Sequence, residues 1–169
     1  LHRSFLEAGA DLILTDTFGS SRLNLSHSGL ADRFEKTNYE AVRLARTAAE
    51  GFGALVGGSM GPLGEMVAPY GTLSLEQAQA EYAAQARLLS EAGVDVLVIE
   101  TQFDLGEAEA ALKGARSVSD LPLVVSFSYD RGTRSMMGVR PAQMAETFAP
   151  YQPAALGINC GKSLAENLA

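Results

Sequence analysis

The 169-residue sequence has a single cysteine, no tryptophan and only two histidines. One cysteine cannot form a disulfide within the chain, nor can it form a zinc site alone, because such sites take three or four protein ligands. The histidines do not compensate, since His2 and His27 lie in different segments and form no His-x-x-x-His pair. A metal centre that involves this sequence therefore needs ligands from outside it.

Basic residues are also scarce: 13 Lys and Arg stand against 20 Asp and Glu, for a net charge of -7. Such a chain repels the phosphates of nucleic acids and anionic membrane surfaces. No apolar run approaches the ~20 residues that a membrane-spanning helix needs. Without a visible secretory signal, we expect a cytoplasmic protein that binds neither nucleic acid nor membrane. The oligomeric state stays open.

Short apolar runs alternate with longer segments of helical periodicity, which predicts an α/β protein with a parallel sheet. The predicted strands span residues 11–15, 54–58, 95–100, 121–127 and 154–158. The predicted helices span residues 32–50, 74–92, 104–118 and 141–149, with Asp104 as an N-cap and Glu107 three residues later. We expect one partial domain over residues 1–169, because both ends of the sequence fall within helical patterns.

An internal repeat favours a particular sheet. Residues 7–11 match residues 91–95, and the match continues through the following strands to Asp16 and Glu100. One predicted strand separates the copies, and alternate strands of a (β/α)8 barrel contribute to the same layer. Asp16, Glu100 and the 159–160 pair are then expected at one height on the rim. We therefore predict an incomplete TIM-type barrel, about strands 2 to 6.

The alternative fold is a complete, doubly wound open sheet. That fold has a Gly-x-Gly-x-x-Gly turn after its first strand when it binds dinucleotides, and no such turn follows the first predicted strand here. The barrel remains the favoured architecture.

Two strand ends carry residues suited to chemistry. Cys160 follows a predicted strand and precedes Gly161, where a thiol is a candidate metal ligand or nucleophile, or simply a small buried apolar residue. Glu100 ends an otherwise aliphatic strand, either as a ligand-binding carboxylate at the barrel mouth or as a solvated residue. Thr17 and Phe18 lie on the equivalent loop, where Phe18 either walls a pocket or covers the barrel end.

Glycines offer a second reading, in which the protein binds a phosphate ligand. The turn Gly161-Lys162-Ser163 follows a strand, but a phosphate loop also requires glycine at position 156, where the chain has Leu156. The glycine-rich segment 57–64 is either a sharp turn or a place where backbone amides approach a ligand closely.

Several motifs occur together in an order that resembles the homocysteine S-methyltransferase family. They are Ala8-Gly9-Ala10-Asp11, Thr15-Asp16-Thr17-Phe18-Gly19-Ser20, Gly61-Pro62-Leu63-Gly64, Glu91-Ala92-Gly93-Val94-Asp95, Ile99-Glu100-Thr101 and Gly157-Ile158-Asn159-Cys160. The likeness covers nearly the whole chain.

This resemblance implies a (β/α)8 barrel that transfers a methyl group to the thiol of homocysteine, giving methionine. It also implies one zinc ion held by three cysteines, of which Cys160 matches the first and an adjacent Cys-Cys pair is not in this sequence. Glu100 matches the glutamate that holds the amino acid part of homocysteine. The remaining substrate contacts are expected at Asp16, Thr17, Phe18, Gly61, Pro62 and Asn159.

The methyl donor stays open among betaine, S-methylmethionine and a methylated corrinoid or folate, the last two in a partner module. The aromatic residues that could face a cationic donor are Phe18, Tyr70, Phe103 and Tyr129. Because the Cys-Cys pair and the first barrel strand are missing, an inactive fragment is a further possibility.

Overall fold

The computed structural model describes residues 1–130, 132–161, 163 and 165. Its strands form one parallel sheet in simple chain order: β1 Leu12–Leu14, β2 Leu55–Met60, β3 Val96–Gln102, β4 Leu123–Ser128 and β5 Ala155–Asn159. A doubly wound sheet reverses its strand order at a switch point, whereas successive strands of a (β/α)8 barrel are neighbours. The order thus confirms the predicted barrel architecture, here as five consecutive strands.

Helices follow the strands on one face of the sheet. They are α1 His2–Glu7, α2 Arg22–His27, α3 Phe34–Ala49, α4 Leu75–Ala92, α5 Leu105–Arg116 and α6 Pro141–Phe148, with short 3-10 turns at Ala31–Arg33 and Ala149–Tyr151. The Asp104 side chain caps α5 by accepting from the Glu107 amide, and Gly93 ends α4 with φ 96°. Both ends agree with the predicted boundaries, whereas the six-residue helix α2 has no long periodic pattern and was not predicted.

The sheet has two unlike faces. Residues such as Ile99, Val125 and Phe127 are fully buried against the helices and form the core. Alternate residues, such as Val124 and Ser126, lie on the opposite face, which faces the interior of a closed barrel, and are only half-buried. Polar side chains therefore reach the strand ends on the inner face without disturbing the helix-packed core.

The strand registers agree with the predicted common height of the two repeat copies. Leu14 pairs with Gly57, which pairs with Val96, so a line across the strands joins Leu14 to Val96. The repeat offset of 84 residues (96 minus 12) instead matches Val96 with Leu12. A barrel of eight strands and shear eight shifts each layer by about one residue per strand. The two repeat copies are shifted by two residues over two strands, which is the shift expected for residues that lie in one layer of such a barrel.

The second strand is longer than predicted. It runs to Met60 rather than to Gly58, so Ser59 and Met60 belong to the strand as well and the loop begins only after them. The two glycines of this strand are closely packed: a Cβ on Gly58 would meet the Leu89 side chain of α4 at 3.1 Å, and one on Gly57 would meet Leu14 at 2.8 Å. Gly58 therefore lets α4 approach the sheet closely, and Gly57 leaves room for the Leu14 side chain of the neighbouring strand.

Along the described part of the chain, every helix is too short or too polar to cross a membrane.

Candidate functional site

A serine on β2 anchors the carboxylate of Glu100. The Ser59 hydroxyl donates to Glu100 Oε1 at 2.5 Å, and Ser59 itself is 2% exposed while Glu100 is half-buried. The carboxylate is thereby fixed at the carboxyl end of β3, on the inner face of the sheet. One oxygen of Glu100 is used by the protein, and the side chain still reaches solvent.

Two threonines fix Ser59 from behind. The Ser59 amide donates to Thr15 Oγ1 at 3.0 Å, the Thr15 and Thr17 hydroxyls lie 2.7 Å apart, and the Thr17 hydroxyl donates to the Ser59 carbonyl at 2.6 Å. One consistent set of proton positions satisfies this closed ring. Because Thr17 is fully buried and its hydroxyl is used in the ring, it supports Ser59 from within the protein.

The same row of polar groups continues across β4 to β5. Ser126 donates its hydroxyl proton to Asn159 Oδ1 at 3.1 Å, and Asn159 Nδ2 donates to Thr101 Oγ1 at 2.8 Å and to Cys160 Sγ at 3.2 Å. Thr101 is the neighbour of Glu100 in the chain. The carboxylate on β3 and the thiol after β5 are therefore linked through two intervening side chains.

Two residues of this row have left-handed backbone. Thr101 has φ 60° and Cys160 has φ 55°, and the pairing of β3 with β4 shifts between Ile99 and Gln102. A β-branched residue rarely adopts this conformation, and such backbone outliers concentrate at functional sites. The strained backbone lies at the two strand ends that carry the candidate carboxylate and thiol.

The other predicted contacts fall in two places. Phe18 and Pro62 line a cavity at the carboxyl ends of the strands, whereas Asp16 is exposed and lines a separate groove beside the free edge of β1. Gly61 lies under Phe18: its amide donates to the Phe18 carbonyl at 3.1 Å, and a Cβ on it would lie 2.6 Å from the Phe18 ring. Gly61 thus sets the position of Phe18.

The cavity has a volume of about 430 Å³ and combines apolar walls with acidic groups. Its apolar and aromatic lining includes Phe18, Met66, Phe103 and Met136, and its carboxylates are Glu65 and Asp130. Two of the four aromatic residues proposed for a cationic donor therefore meet here. The other two do not, since Tyr129 is buried in the core and Tyr70 is 70% exposed outside this lining.

A buried polar cluster beneath the loop after β2 was not predicted. Tyr82, Gln102 and Glu107 are each at most 1% exposed, and they contact one another and the backbone of the loop. The Glu107 side chain does not return to the Asp104 amide as in a capping box; it accepts from the Leu63 amide instead. A glutamate three residues after a cap is common, so no sequence signal distinguished it.

The donor atoms present do not complete a metal centre. Cys160 is exposed and unpaired, and within residues 1–130, 132–161, 163 and 165 no three His, Cys, Asp or Glu side chains are grouped to hold an ion. The described residues thus fit one ligand of a zinc ion and no more. The phosphate alternative depends on Lys162, which lies outside the described residues.

Comparison with known proteins covers almost the whole chain. The sequence model of the family described as homocysteine S-methyltransferase matches residues 1–168. Methionine synthase from Mycobacterium tuberculosis (strain ATCC 25618 / H37Rv) is 27% identical over 176 residues, which is 98% of this chain and 15% of that protein.

Solved structures show the same similarity. The metallated form of the homocysteine methyltransferase MmuM from Escherichia coli has a TM-score of 0.85 at 27% identity, covering 98% of this chain and 63% of that chain. Its oxidised form has a TM-score of 0.81 at 28% identity, covering 94% and 60%. The carboxyl transferase domain of pyruvate carboxylase from Rhizobium etli, at 14% identity, TM-score 0.55 and coverage of 92% and 22%, supports the fold alone. This chain thus spans less than two thirds of these relatives.

Proposed function

The chain belongs to the homocysteine S-methyltransferase family, and from this membership we propose that its row of polar strand ends serves methyl transfer to the thiol of homocysteine, giving methionine. The observation that carries the proposal is the linked pair of Glu100 and Cys160. A carboxylate and a sulfur ligand on one rim match the two ends of homocysteine, its ammonium group and its thiol.

Glu100 is suited to bind the ammonium group. The Ser59 hydroxyl occupies Oε1, while among the described residues Oε2 meets only the Thr101 hydroxyl, at 3.5 Å, the long limit of hydrogen-bond distances. Oε2 of Glu100 therefore keeps a lone pair that can accept a hydrogen bond from the ammonium group of a substrate. Because Ser59 is held by a buried ring, the carboxylate is preorganised and loses little freedom on binding.

We assign Cys160 as one ligand of a zinc ion whose other ligands lie outside this sequence. Zinc, when bound, keeps a coordinated thiol as the thiolate, the nucleophilic form. Within this chain, Asn159 orients the ligand, because its amide donates to both Cys160 Sγ and Thr101 Oγ1. Asn159 therefore sets the sulfur relative to the strand end that carries Glu100.

The methyl donor is assigned to the cavity lined by Phe18 and Phe103. Its two carboxylates and its aromatic and thioether walls favour a small organic cation, such as a sulfonium or quaternary ammonium compound. Asp130 is the exposed carboxylate of the pair, whereas Glu65 already contacts His27 at 3.1 Å. A folate donor, which carries negative charge, would be repelled.

The central test is Cys160→Ala in the whole protein that contains this sequence. We expect zinc content to fall from about one ion per chain and homocysteine-dependent methionine formation to be lost, with an unchanged circular dichroism spectrum because the side chain is exposed, and with a fall in melting temperature no larger than that of wild type stripped of its zinc. Full activity and full zinc content in this variant would contradict the assignment.

The donor assignment has its own test. Asp130→Asn should raise KM for a sulfonium donor about 10-fold and leave KM for homocysteine unchanged, since the lost charge faces only the donor. Asp120→Asn, an exposed aspartate outside the cavity, is the matched control. Equal donor KM values for the two variants would exclude this cavity as the donor site.

A further inference from the structure

Three buried side chains hold both ends of the turn after β2. The Leu63 amide donates to Glu107 Oε1 at 2.8 Å, and the Tyr82 hydroxyl lies 3.1 Å from the Gly61 carbonyl and 3.0 Å from the same Glu107 oxygen. Gln102 Nε2 donates to the Tyr82 oxygen at 3.3 Å. The turn is therefore fixed from beneath at a carbonyl and at an amide, two residues apart.

The hydroxyl of Tyr82 is the shared member of this cluster. It has one proton to donate, either to the Gly61 carbonyl or to Glu107, while its oxygen accepts from Gln102. Burial raises the pKa of Tyr82 well above its usual value, so the hydroxyl keeps that proton. Removing the hydroxyl removes the hydrogen-bonding group that reaches the Gly61 carbonyl of the turn and the one that links Tyr82 of α4 to Glu107 of α5.

Stability alone does not account for such a cluster. Burial raises the pKa of Glu107, which means that the folded protein disfavours the ionised carboxylate there. The Oε1 atom of Gln102 is buried without a hydrogen-bond partner among the described residues. Well-packed apolar side chains at such positions are often as stable or more stable. The cost points to a requirement for the polar contacts themselves.

The cluster lies between the two halves of the candidate site. Pro62, between the two fixed backbone groups, lines the cavity, and Gln102 follows directly on Thr101. Gln102 Nε2 also lies 3.5 Å from the Glu100 carbonyl, a marginal contact. One buried group of side chains thus touches the loop after β2 and the end of β3.

We propose that Tyr82 and Glu107 are positioning residues that hold the Gly61–Leu63 turn between the cavity and the strand end of Glu100, and so keep the site for homocysteine and its methyl donor assembled before substrate binds. This role rests on the proposed function. Neither residue touches substrate. A released turn would lower the fraction of molecules that are competent to bind, which weakens apparent affinity and leaves the rate of the bound complex almost unchanged.

The test is Tyr82→Phe in the whole protein, which keeps the buried ring and removes only the hydroxyl. We expect KM to rise about 10-fold for homocysteine and also for the methyl donor, whose cavity Pro62 lines, with kcat within about 2-fold, and we expect amide hydrogen exchange at Leu63 to accelerate. Glu107→Gln should retain the wild-type KM, because its amide oxygen still accepts from the Leu63 amide and remains within reach of the Tyr82 hydroxyl. Glu107→Leu, which has no acceptor, should match Tyr82→Phe.

The matched control is Tyr151→Phe. It removes a hydrogen bond of the same kind, from the Tyr151 hydroxyl to the carboxylate of Glu109. Glu109 lies on α5, as Glu107 does, but its hydrogen bond does not involve the Gly61–Leu63 turn. The KM and Leu63 exchange of Tyr151→Phe should stay at wild-type values. An unchanged KM in Tyr82→Phe, or an equal rise in Tyr151→Phe, would overturn the positioning role. If the wild-type protein transfers no methyl group to homocysteine, the proposed function fails, and unchanged Leu63 exchange in Tyr82→Phe would separately overturn the claim that the cluster holds the turn.

Discussion

The two ends of strand β3 carry carboxylates with opposite uses. Asp95, before the strand, accepts from the Val56 amide at 2.7 Å and pairs with Arg46 at 2.7 Å, and Arg46 also donates to the Gly93 carbonyl. Glu100, near the other end, is bound by one hydroxyl and remains open to solvent on its second oxygen. A carboxylate whose hydrogen-bond partners are all supplied by the protein stabilises the fold. A carboxylate that keeps one oxygen largely unpaired is able to bind a ligand.

The electrostatics follow the same division. The hydrogen bond from Arg46 is the main cause that lowers the pKa of Asp95; partial burial opposes it, and the Val56 amide and the charge of Arg46 add to the lowering. Asp95 is therefore ionised and internally neutralised. In (β/α)8 barrels the amino ends of the strands serve stability and the carboxyl ends serve chemistry. Here only four residues of β3 separate a carboxylate of the first kind, Asp95, from one of the second, Glu100.

Among the variants that test this difference between Asp95 and Glu100, Glu100→Gln should have the largest effect. We expect kcat/KM for homocysteine to fall by about 100-fold or more, because a neutral amide replaces the charge that binds the ammonium, while the free energy of unfolding changes by less than about 0.5 kcal/mol. Steady-state kinetics and urea unfolding measure the two effects. Glu91→Gln, an exposed carboxylate that accepts from Tyr39, is the control. A loss of stability without a loss of activity would reverse the assigned roles.

Asp95→Asn should show the converse, with a loss of about 1 kcal/mol of stability and unchanged KM for homocysteine, since the partly exposed ion pair is lost and the Val56 amide keeps only a neutral acceptor. Glu40→Gln, in an exposed pair with Arg43, should cost less than about 0.5 kcal/mol.

The Asp95 contribution depends on pH with a defined sign. Because the folded pKa lies below the ordinary value of 3.8, its stabilisation is present above pH 3.8 and disappears as pH falls through the folded pKa. The stability difference between wild type and Asp95→Asn should therefore shrink in acid. A difference that grows in acid would show that the ion pair is not its source.

A smaller effect on stability and on donor binding is expected at Gly61, which lies under the Phe18 ring. Gly61→Ala places a methyl group 2.6 Å from the Phe18 ring, so this ring, which lines the cavity, must shift. We expect a loss of about 1 kcal/mol and a raised donor KM. Gly9→Ala, at a glycine with no neighbour within 4 Å but with φ 95°, controls for backbone strain alone and should leave the donor KM unchanged.

The smallest effect concerns Glu107. Its folded pKa is raised above 4.5, so protonation favours the folded state, and stability is lost as pH rises through the folded pKa. Glu107→Gln, which cannot ionise, should be more stable than wild type at neutral pH, and the difference should vanish below pH 4.5. Thermal unfolding across this range measures it, and a wild type that is more stable at neutral pH would contradict the burial penalty.

Sequence patterns predicted the strands and long helices because each has a periodicity of its own. They also predicted Glu100 and Cys160 as candidates, since an isolated polar residue at the end of an aliphatic run stands out. They did not indicate Ser59 or Ser126, because a serine in or near a strand is equally common without a function. They did not indicate a role for Glu107, because a glutamate three residues after an N-cap is already explained by the start of the helix.

The sequence alone determined the alternation of strands and helices, the repeat that fixes the order of the sheet and the chemical identity of two rim residues, because these depend on neighbours a few residues apart. Only the tertiary structure decided which hydroxyl binds Glu100, that Phe18 and Phe103 meet in one cavity, and that Tyr82 reaches the turn after β2. Hydrogen bonds and cavities join groups that are twenty to eighty-five residues apart along the chain, and their partners are set by strand register and helix packing, which no local pattern encodes.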